Sequence, residues 1–424
     1  MASTHPHPVA TRPAPVDRSG LRDAWPVWVV LAAWLGLGSQ APSKIAGSWH
    51  YVVTGVDTVF RSGSAWSHLY AVHPDVQMGP LTFLVGAPFV LLVGAGHGKS
   101  AATVVMTAAG LGLFALVVAL ARRSDGRDHP PVRPLAGGTT TRPGPRPEPL
   151  VPLTRGLVLF AGLAFLTGWI EVGTRAGHLD DVLALALVTV ALATRLGHHT
   201  LVTALLLALA ADSKPWAIAF VPLLLDLSVP GPTGRGPALA TGLLKRNAAA
   251  VGVWVVAVAA AYGPFALLDH ATVNASHFTI PTEVSSGLRA LGIAGSQTPT
   301  WDRPVQALLG ALLGVVAIAL RRPAAVPLVG MATRIALDPG VHPYYTSGLL
   351  LTTVIVDLLL ARRRLPWLTF AAFGLIEAAN YVLVAPDLVG SIGPHLAGYL
   401  RLATCIGLVV AALVVRPPVA VRRP

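Results

Sequence analysis

Four short stretches of this chain gather the residue types that do polar chemistry. The first is Gly55-Val56-Asp57-Thr58-Val59-Phe60, followed by Leu69-Tyr70 and then by His73-Pro74-Asp75-Val76-Gln77-Met78-Gly79-Pro80-Leu81. A carboxylate such as Asp57 can take the proton from a sugar hydroxyl as that hydroxyl attacks an anomeric carbon. Spacing alone equally allows a helix cap or a solvated loop aspartate. The second stretch is Thr174-Arg175-Ala176-Gly177-His178-Leu179-Asp180-Asp181. Paired carboxylates at a helix start suit its dipole and its free N–H groups. With His178 and Arg175 beside them, Asp180 and Asp181 could instead build a charged cluster near a phosphate or a sugar. The third is Ala211-Asp212-Ser213-Lys214-Pro215-Trp216. A lysine between two apolar stretches needs a partner or an anionic ligand. A lipid phosphate is one such ligand; a salt bridge to Asp212, or snorkelling to the surface, is the plainer use. The fourth is Arg334-Ile335-Ala336-Leu337-Asp338-Pro339-Gly340-Val341-His342-Pro343-Tyr344-Tyr345. Arginine suits bidentate phosphate contact. Tyr344 and Tyr345 also fit the aromatic belt of a membrane boundary. There is no Walker A loop, no G-x-S-x-G and no H-E-x-x-H metal signature, so no resident metal or cofactor is expected.

The elements that must position these clusters are membrane helices. Of 424 residues, 54% are apolar and 12% charged, and mean hydropathy is +0.65. Soluble domains carry about 25% charged residues. The apolar residues fall in continuous blocks of roughly twenty, the length of a helix crossing a ~30 Å hydrocarbon core. Strands of a barrel would alternate, and these blocks do not. The net charge of +12 is mostly arginine. Its place beside the apolar blocks makes it a topology signal and argues against nucleic acid as a partner. Cys405 is the sole cysteine, so no intramolecular disulfide can form.

Twelve spans are expected, near 25–39, 100–121, 154–172, 180–195, 200–212, 214–228, 247–266, 304–320, 324–337, 346–361, 366–385 and 396–415, with both termini cytoplasmic. This arrangement places 22 of the 31 Lys and Arg residues on the cytoplasmic side, the expected bias. Residues 1–24 and 417–424 read as cytoplasmic tails, the first disordered, around a membrane domain at 25–416. The Pro- and Arg-rich loop 122–153 reads as disordered. Segment 79–96 is apolar enough to span. Spanning would move an arginine-rich loop outside, so a juxtamembrane or re-entrant helix is expected there, broken by Pro80, Pro88 and four glycines. Residues 200–228 could form one long helix, but Asp212, Lys214 and Pro215 in its middle favour two short spans. In this topology all four polar clusters face outward, with nine of the 14 histidines.

The order and sidedness of these motifs resemble the GT-C glycosyltransferases. The carrying residues are Asp57 in the first outer loop, Leu69-Tyr70 with Gly79-Pro80-Leu81 downstream, Gly177-His178-Leu179-Asp180-Asp181 opening the fourth span, and Lys214-Pro215-Trp216 between short spans. The pattern is most similar to the polyprenyl-phosphate-mannose-dependent group, glycosyltransferase family 87, over most of residues 25–360. Met78-Gly79-Pro80 stands where that family has Tyr-Pro-Pro, and Gly177-His178-Leu179-Asp180 where it has Gly-Gln-x-Asn.

The resemblance implies an all-α GT-C-like bundle in a bacterial plasma membrane, with its site at the outer face. It implies an inverting transfer of a sugar, mannose foremost, from a polyprenyl-phosphate donor to a lipid-linked or glycan acceptor. Asp57 would be the base, assisted by His342. Lys214 and Arg334 would hold the lipid phosphate, and His178, Asp180, Asp181, Tyr344, Tyr345 and Gln77 would complete the substrate site. The alternatives are a lipid or solute transporter, which would favour internal repeats with midplane charges, and a membrane subunit without chemistry, which would not need the outer polar set.

Overall fold

The computed structural model describes residues 25–40, 48–127, 153–227 and 236–415. Both expected tails and residues 128–152 of the expected disordered loop lie outside the described residues. Among the described residues the chain is helical, with one isolated bridge between Pro281 and Gln297. The principal helices are α1 (Trp25–Gln40), α2 (Ser48–Arg61), α3 (Pro80–Leu91), α4 (Ala95–Arg127), α5 (Arg155–Ile170), α6 (Leu179–Leu196) and α7 (Thr200–Ser213). They continue with α8 (Gly236–Leu268), α9 (Asp302–Ala319), α10 (Val326–Leu337), α11 (Thr346–Val356), α12 (Trp367–Glu377) and α13 (Gly393–Val414). Among the described residues, six helical segments are long and apolar enough to cross a membrane: Ala95–Arg123, Arg155–Arg175, Leu244–Leu268, Asp302–Ala319, Pro343–Ala361 and Asp387–Val414. They mark a multi-pass membrane protein.

Each of the twelve expected spans contains a helix, though several are short. The stretch 214–228 holds only a 3₁₀ helix, Pro215–Leu224, because Lys214 adopts an extended conformation after α7 and Pro222 lacks a donor N–H. The break between two short segments therefore falls at Lys214. Segment 79–96 holds the 12-residue α3, opened by Pro80, and the next helix begins at Ala95. At about 1.5 Å per residue, α3 is too short to cross a bilayer alone. α4 outruns its expected end and continues to Arg127, so the first residues of the 122–153 loop are helical.

Small residues let the helices approach closely. Added side-chain volume at Gly168 would meet Leu350 on α11, at Gly348 Met331 on α10, and at Gly330 Phe220 of the 3₁₀ helix. Phe114, Phe165 and Trp169 fill the centre, and the Trp169 indole N–H donates to the Met106 carbonyl at 2.9 Å. The outside is also apolar. Leu308, Leu312 and Val316, along one face of α9, are exposed, as are Val255 and Val256 on α8. Water would not tolerate such continuous stripes; lipid does.

The two ends of the bundle differ. At one end arginines donate to helix carbonyls: Arg195 to Leu225 at the end of the 3₁₀ helix, Arg322 to Ala412 and Val414 at the end of α13, and Arg362 to Ala121 within α4. At the other end α6, α9, α11 and α13 begin and α7, α8 and α10 finish. The four polar clusters lie at that second end.

Candidate functional site

The turn before α6 is built by backbone constraints. Residues Glu171–Arg175 form a π turn, Gly177 takes φ +64°, and the His178 N–H donates to the Val172 carbonyl at 3.1 Å. A left-handed residue at 177 favours glycine. The turn sets His178, Asp180 and Asp181 side by side, all buried, with both carboxylates in the first turn of α6, where the helix dipole favours them.

Lys214 is delivered by the end of α7. The carbonyls there are taken up by neighbours: Gly79 N–H and Thr82 Oγ1 donate to Ser213 O at 2.9 and 3.1 Å, and the Tyr262 hydroxyl donates to Ala211 O at 3.1 Å. Gly79 lies so close to the Asp212 carbonyl that a Cβ there would overlap it. With its backbone pinned, the Lys214 ammonium donates to Asp180 Oδ2. The next residue but one, Trp216, donates its indole N–H to Asp181 Oδ1 at 3.0 Å.

Arg334, near the end of α10, reaches the same place. Its guanidinium lies 4.7 Å from the Trp216 ring and 4.8 Å from the Tyr345 ring, held between them by cation–π attraction. Its carboxylate neighbours, Asp181 and Asp338, stand off at 3.8 and 3.9 Å. The Arg334 guanidinium makes no hydrogen bond to any described residue. An arginine that is almost buried and still offers its N–H fork can pair with an anion. Burial raises the Asp338 carboxyl above its ordinary value, although Arg334 and the Gly340 N–H, 3.0 Å from Oδ1, act against this.

A stack of rings closes the site. Tyr344 lies on His178 with centroids 3.8 Å apart, and His342 lies parallel to Tyr344 at 5.4 Å. Tyr345 meets Tyr344 edge-on at 4.6 Å. Beneath them Asp181, Trp216, Met331, Arg334, Tyr344 and Tyr345 line a cavity of about 10 Å³, the room of a single water. A larger cavity, about 310 Å³, lies between Glu283, Val341, Asn380 and Pro394. Arg401 underlies it, donating to the Asn380 side-chain oxygen at 2.6 Å and to Ser285 O.

Eight of the ten residues singled out from sequence therefore converge: His178, Asp180, Asp181, Lys214, Arg334, His342, Tyr344 and Tyr345. Gln77 stands at the margin. Its carbonyl oxygen accepts from Arg303 at 2.6 Å, and its amide donates to Ala275 O at 3.2 Å. Asp57 is not in the cluster. It lies on α2, pairs with Arg61 one turn on at 2.7 Å, and its side chain is 42% exposed. Ser48 at the start of α2 does reach the cluster, with Oγ 2.6 Å from His178 Nε2. Asp57 is nine residues further, roughly 13 Å along the axis at 1.5 Å per residue.

Sequence reasoning missed three participants. Asp338 was visible as the i+4 partner of Arg334. Trp216 could be found only as the aromatic after Lys214-Pro215. Ser48 gives no signal at all. Among the described residues, His178, Asp180 and Asp181 form the one group whose donor atoms could hold a metal ion, all within 4.8 Å of one another. Comparison with protein-family models and with curated proteins returned no match to the chain.

Proposed function

We propose that this protein is a membrane glycosyltransferase of GT-C type. It moves a sugar, mannose foremost, from a polyprenyl-phosphate donor to a lipid-linked or glycan acceptor. The twelve helical segments act as spans, some of them short. The arginine-capped end faces the cytoplasm, where positively charged loops are retained, and the polar cluster opens at the outer face of a bacterial plasma membrane.

The observation that carries this reading is Arg334: nearly buried, fixed between two aromatic rings, with a guanidinium free of hydrogen bonds among the described residues. Its fork suits a phosphate at the membrane boundary, and Lys214 adds a second positive charge close by. Cations that bind the donor phosphate also stabilise it as the leaving group when charge builds there. The cavity beside Arg334 is the size of a water, so admission of a phosphate requires the Pro343–Tyr345 turn to move off His178. His342 rides on that turn and would move with it.

The resemblance gives the base's part to Asp57. In that role the carboxylate leaves Arg61, and the acceptor hydroxyl is presented along α2, more than a dozen ångströms from Ser48 by the helix rise. The donor sugar would then span from Arg334 toward α2. Membranes containing the wild-type chain, given labelled polyprenyl-phosphate mannose, should form a mannosylated product. Asp57→Asn should abolish that product with the protein still present and the donor still bound. Undiminished turnover in Asp57→Asn removes it from the role of base. No transfer by the wild type from polyprenyl-phosphate sugars overturns the reading.

A further inference from the structure

Three atoms at the start of α6 are buried without a hydrogen-bond partner: His178 Nδ1, Asp180 Oδ1 and Asp181 Oδ2. They face one another. His178 Nδ1 is 3.5 Å from Asp180 Oδ1 and 3.5 Å from Asp181 Oδ2. Asp180 is fully buried, and His178 and Asp181 are more than nine-tenths buried. A buried polar atom left unpaired is costly, and three converging on one point demand a common occupant.

No protonation state of the histidine supplies it. Ser48 Oγ occupies Nε2 at 2.6 Å. If Nε2 carries the proton, the bare Nδ1 lone pair confronts two carboxylates. If Nδ1 is protonated, whether alone with Nε2 accepting from the Ser48 hydroxyl or together with Nε2, its N–H faces oxygens at 3.5 Å, whereas a charge-assisted hydrogen bond closes to about 2.7–2.9 Å. A metal ion fits instead. Two donors each about 2.1 Å from a tetrahedral ion stand about 3.4 Å apart, which matches both measured separations. The remaining atom of each ligand is held from behind: Nε2 by Ser48, Asp180 Oδ2 by Lys214, and Asp181 Oδ1 by Trp216. Such outer partners orient ligands at metal sites.

We propose that His178, Asp180 and Asp181 bind one divalent first-row metal ion through His178 Nδ1, Asp180 Oδ1 and Asp181 Oδ2. One imidazole and two carboxylates suit Mn²⁺ or Zn²⁺ better than a hard alkaline-earth ion or a soft one. Three protein ligands leave positions open for water or a substrate oxygen. Asp180 and Asp181 are balanced by Lys214 and Arg334, so the ion gives the cluster a surplus positive charge. The site rests on coordination geometry and stands whether or not the chain transfers sugar.

The test uses the full chain in detergent or nanodiscs, stripped with chelator and titrated with Mn²⁺ while the free-ion signal is followed by electron paramagnetic resonance. Zn²⁺ is measured by elemental analysis after desalting. The wild type should take up one equivalent of at least one of the two ions. His178→Ala and Asp181→Asn should lose that equivalent. Ser48→Ala removes neither a ligand nor a charge and should weaken the ion about tenfold; it decides the matter if the ligand variants fail to fold. No saturable equivalent in the wild type overturns the proposal, as does binding that His178→Ala and Ser48→Ala leave unchanged. Neither donor nor acceptor is present, so failure here is distinct from failure of glycosyl transfer.

Discussion

Arginine does opposite work at the two ends of this bundle. Arg195 and Arg322 donate to the last carbonyls of neighbouring helical segments, and Arg362 donates to the Ala121 carbonyl inside α4. Arg195 and Arg322 thereby complete backbone hydrogen bonding that a helix cannot complete for itself. At the other end Arg334 has its charge partly neutralised at 3.8–3.9 Å and its N–H groups unspent. At the first end each guanidinium is engaged with backbone oxygen; at the second, on the proposed reading, an incoming phosphate would engage it. Residue type therefore distinguishes neither role. What distinguishes them is whether the guanidinium donates to a carbonyl oxygen at all.

That contrast can be broken by mutation. The largest effect on folding should come from Asp180→Asn. It leaves the Lys214 ammonium without its direct partner in a buried setting, a loss of about 3–5 kcal/mol for a broken buried pair. Chemical or thermal denaturation in detergent should show it, and an unchanged midpoint would mean that water or lipid solvates Lys214. Arg334→Lys should come next. It keeps the charge but loses the planar fork and both ring contacts, so transfer should fall at least tenfold with the fold retained. Full activity in that variant would reduce Arg334 to a point charge.

Arg322→Ala at the capped end should cost about 1 kcal/mol, the scale of lost hydrogen bonds, and leave transfer unaltered. A large loss of activity there would erase the distinction between the ends. The smallest effect concerns Asp269, whose carboxyl is held below its ordinary value by the His68 ring 2.6 Å away and by the Ala271 N–H. A depressed carboxyl stabilises above its unfolded value and loses that contribution as pH falls through its folded one. A slight softening of the His68–Asp269 contact is thus expected only below about pH 4. His68→Gln should remove most of it, read as the difference between the two acid-unfolding curves.

Much of this architecture was open to reading in the amino-acid sequence. Long apolar blocks admit only helices, and all twelve expected segments contain one. The charged break at Asp212–Lys214–Pro215 divides 200–228 where it was expected to. The clusters at 178–181, 214 and 334–345 share an end because each borders an apolar block whose other border carries arginine. Contacts fixed by tertiary packing were not legible. Asp57 and Ser48 lie on one helix, yet only Ser48 reaches His178, because α2 leaves the cluster along its own axis. Nor does spacing reveal which oxygens of Asp180 and Asp181 are taken by Lys214 and Trp216 and which are left facing His178.

The central claim is that the end bearing Arg334 receives a lipid-linked phosphate. It is tested most directly by equilibrium binding of a labelled polyprenyl phosphate to the purified chain in nanodiscs, comparing wild type, Arg334→Ala and Arg322→Ala. Saturable binding that Arg334→Ala weakens at least tenfold and Arg322→Ala leaves intact is the expected result. Equal binding by all three proteins, or none by the wild type, would contradict it.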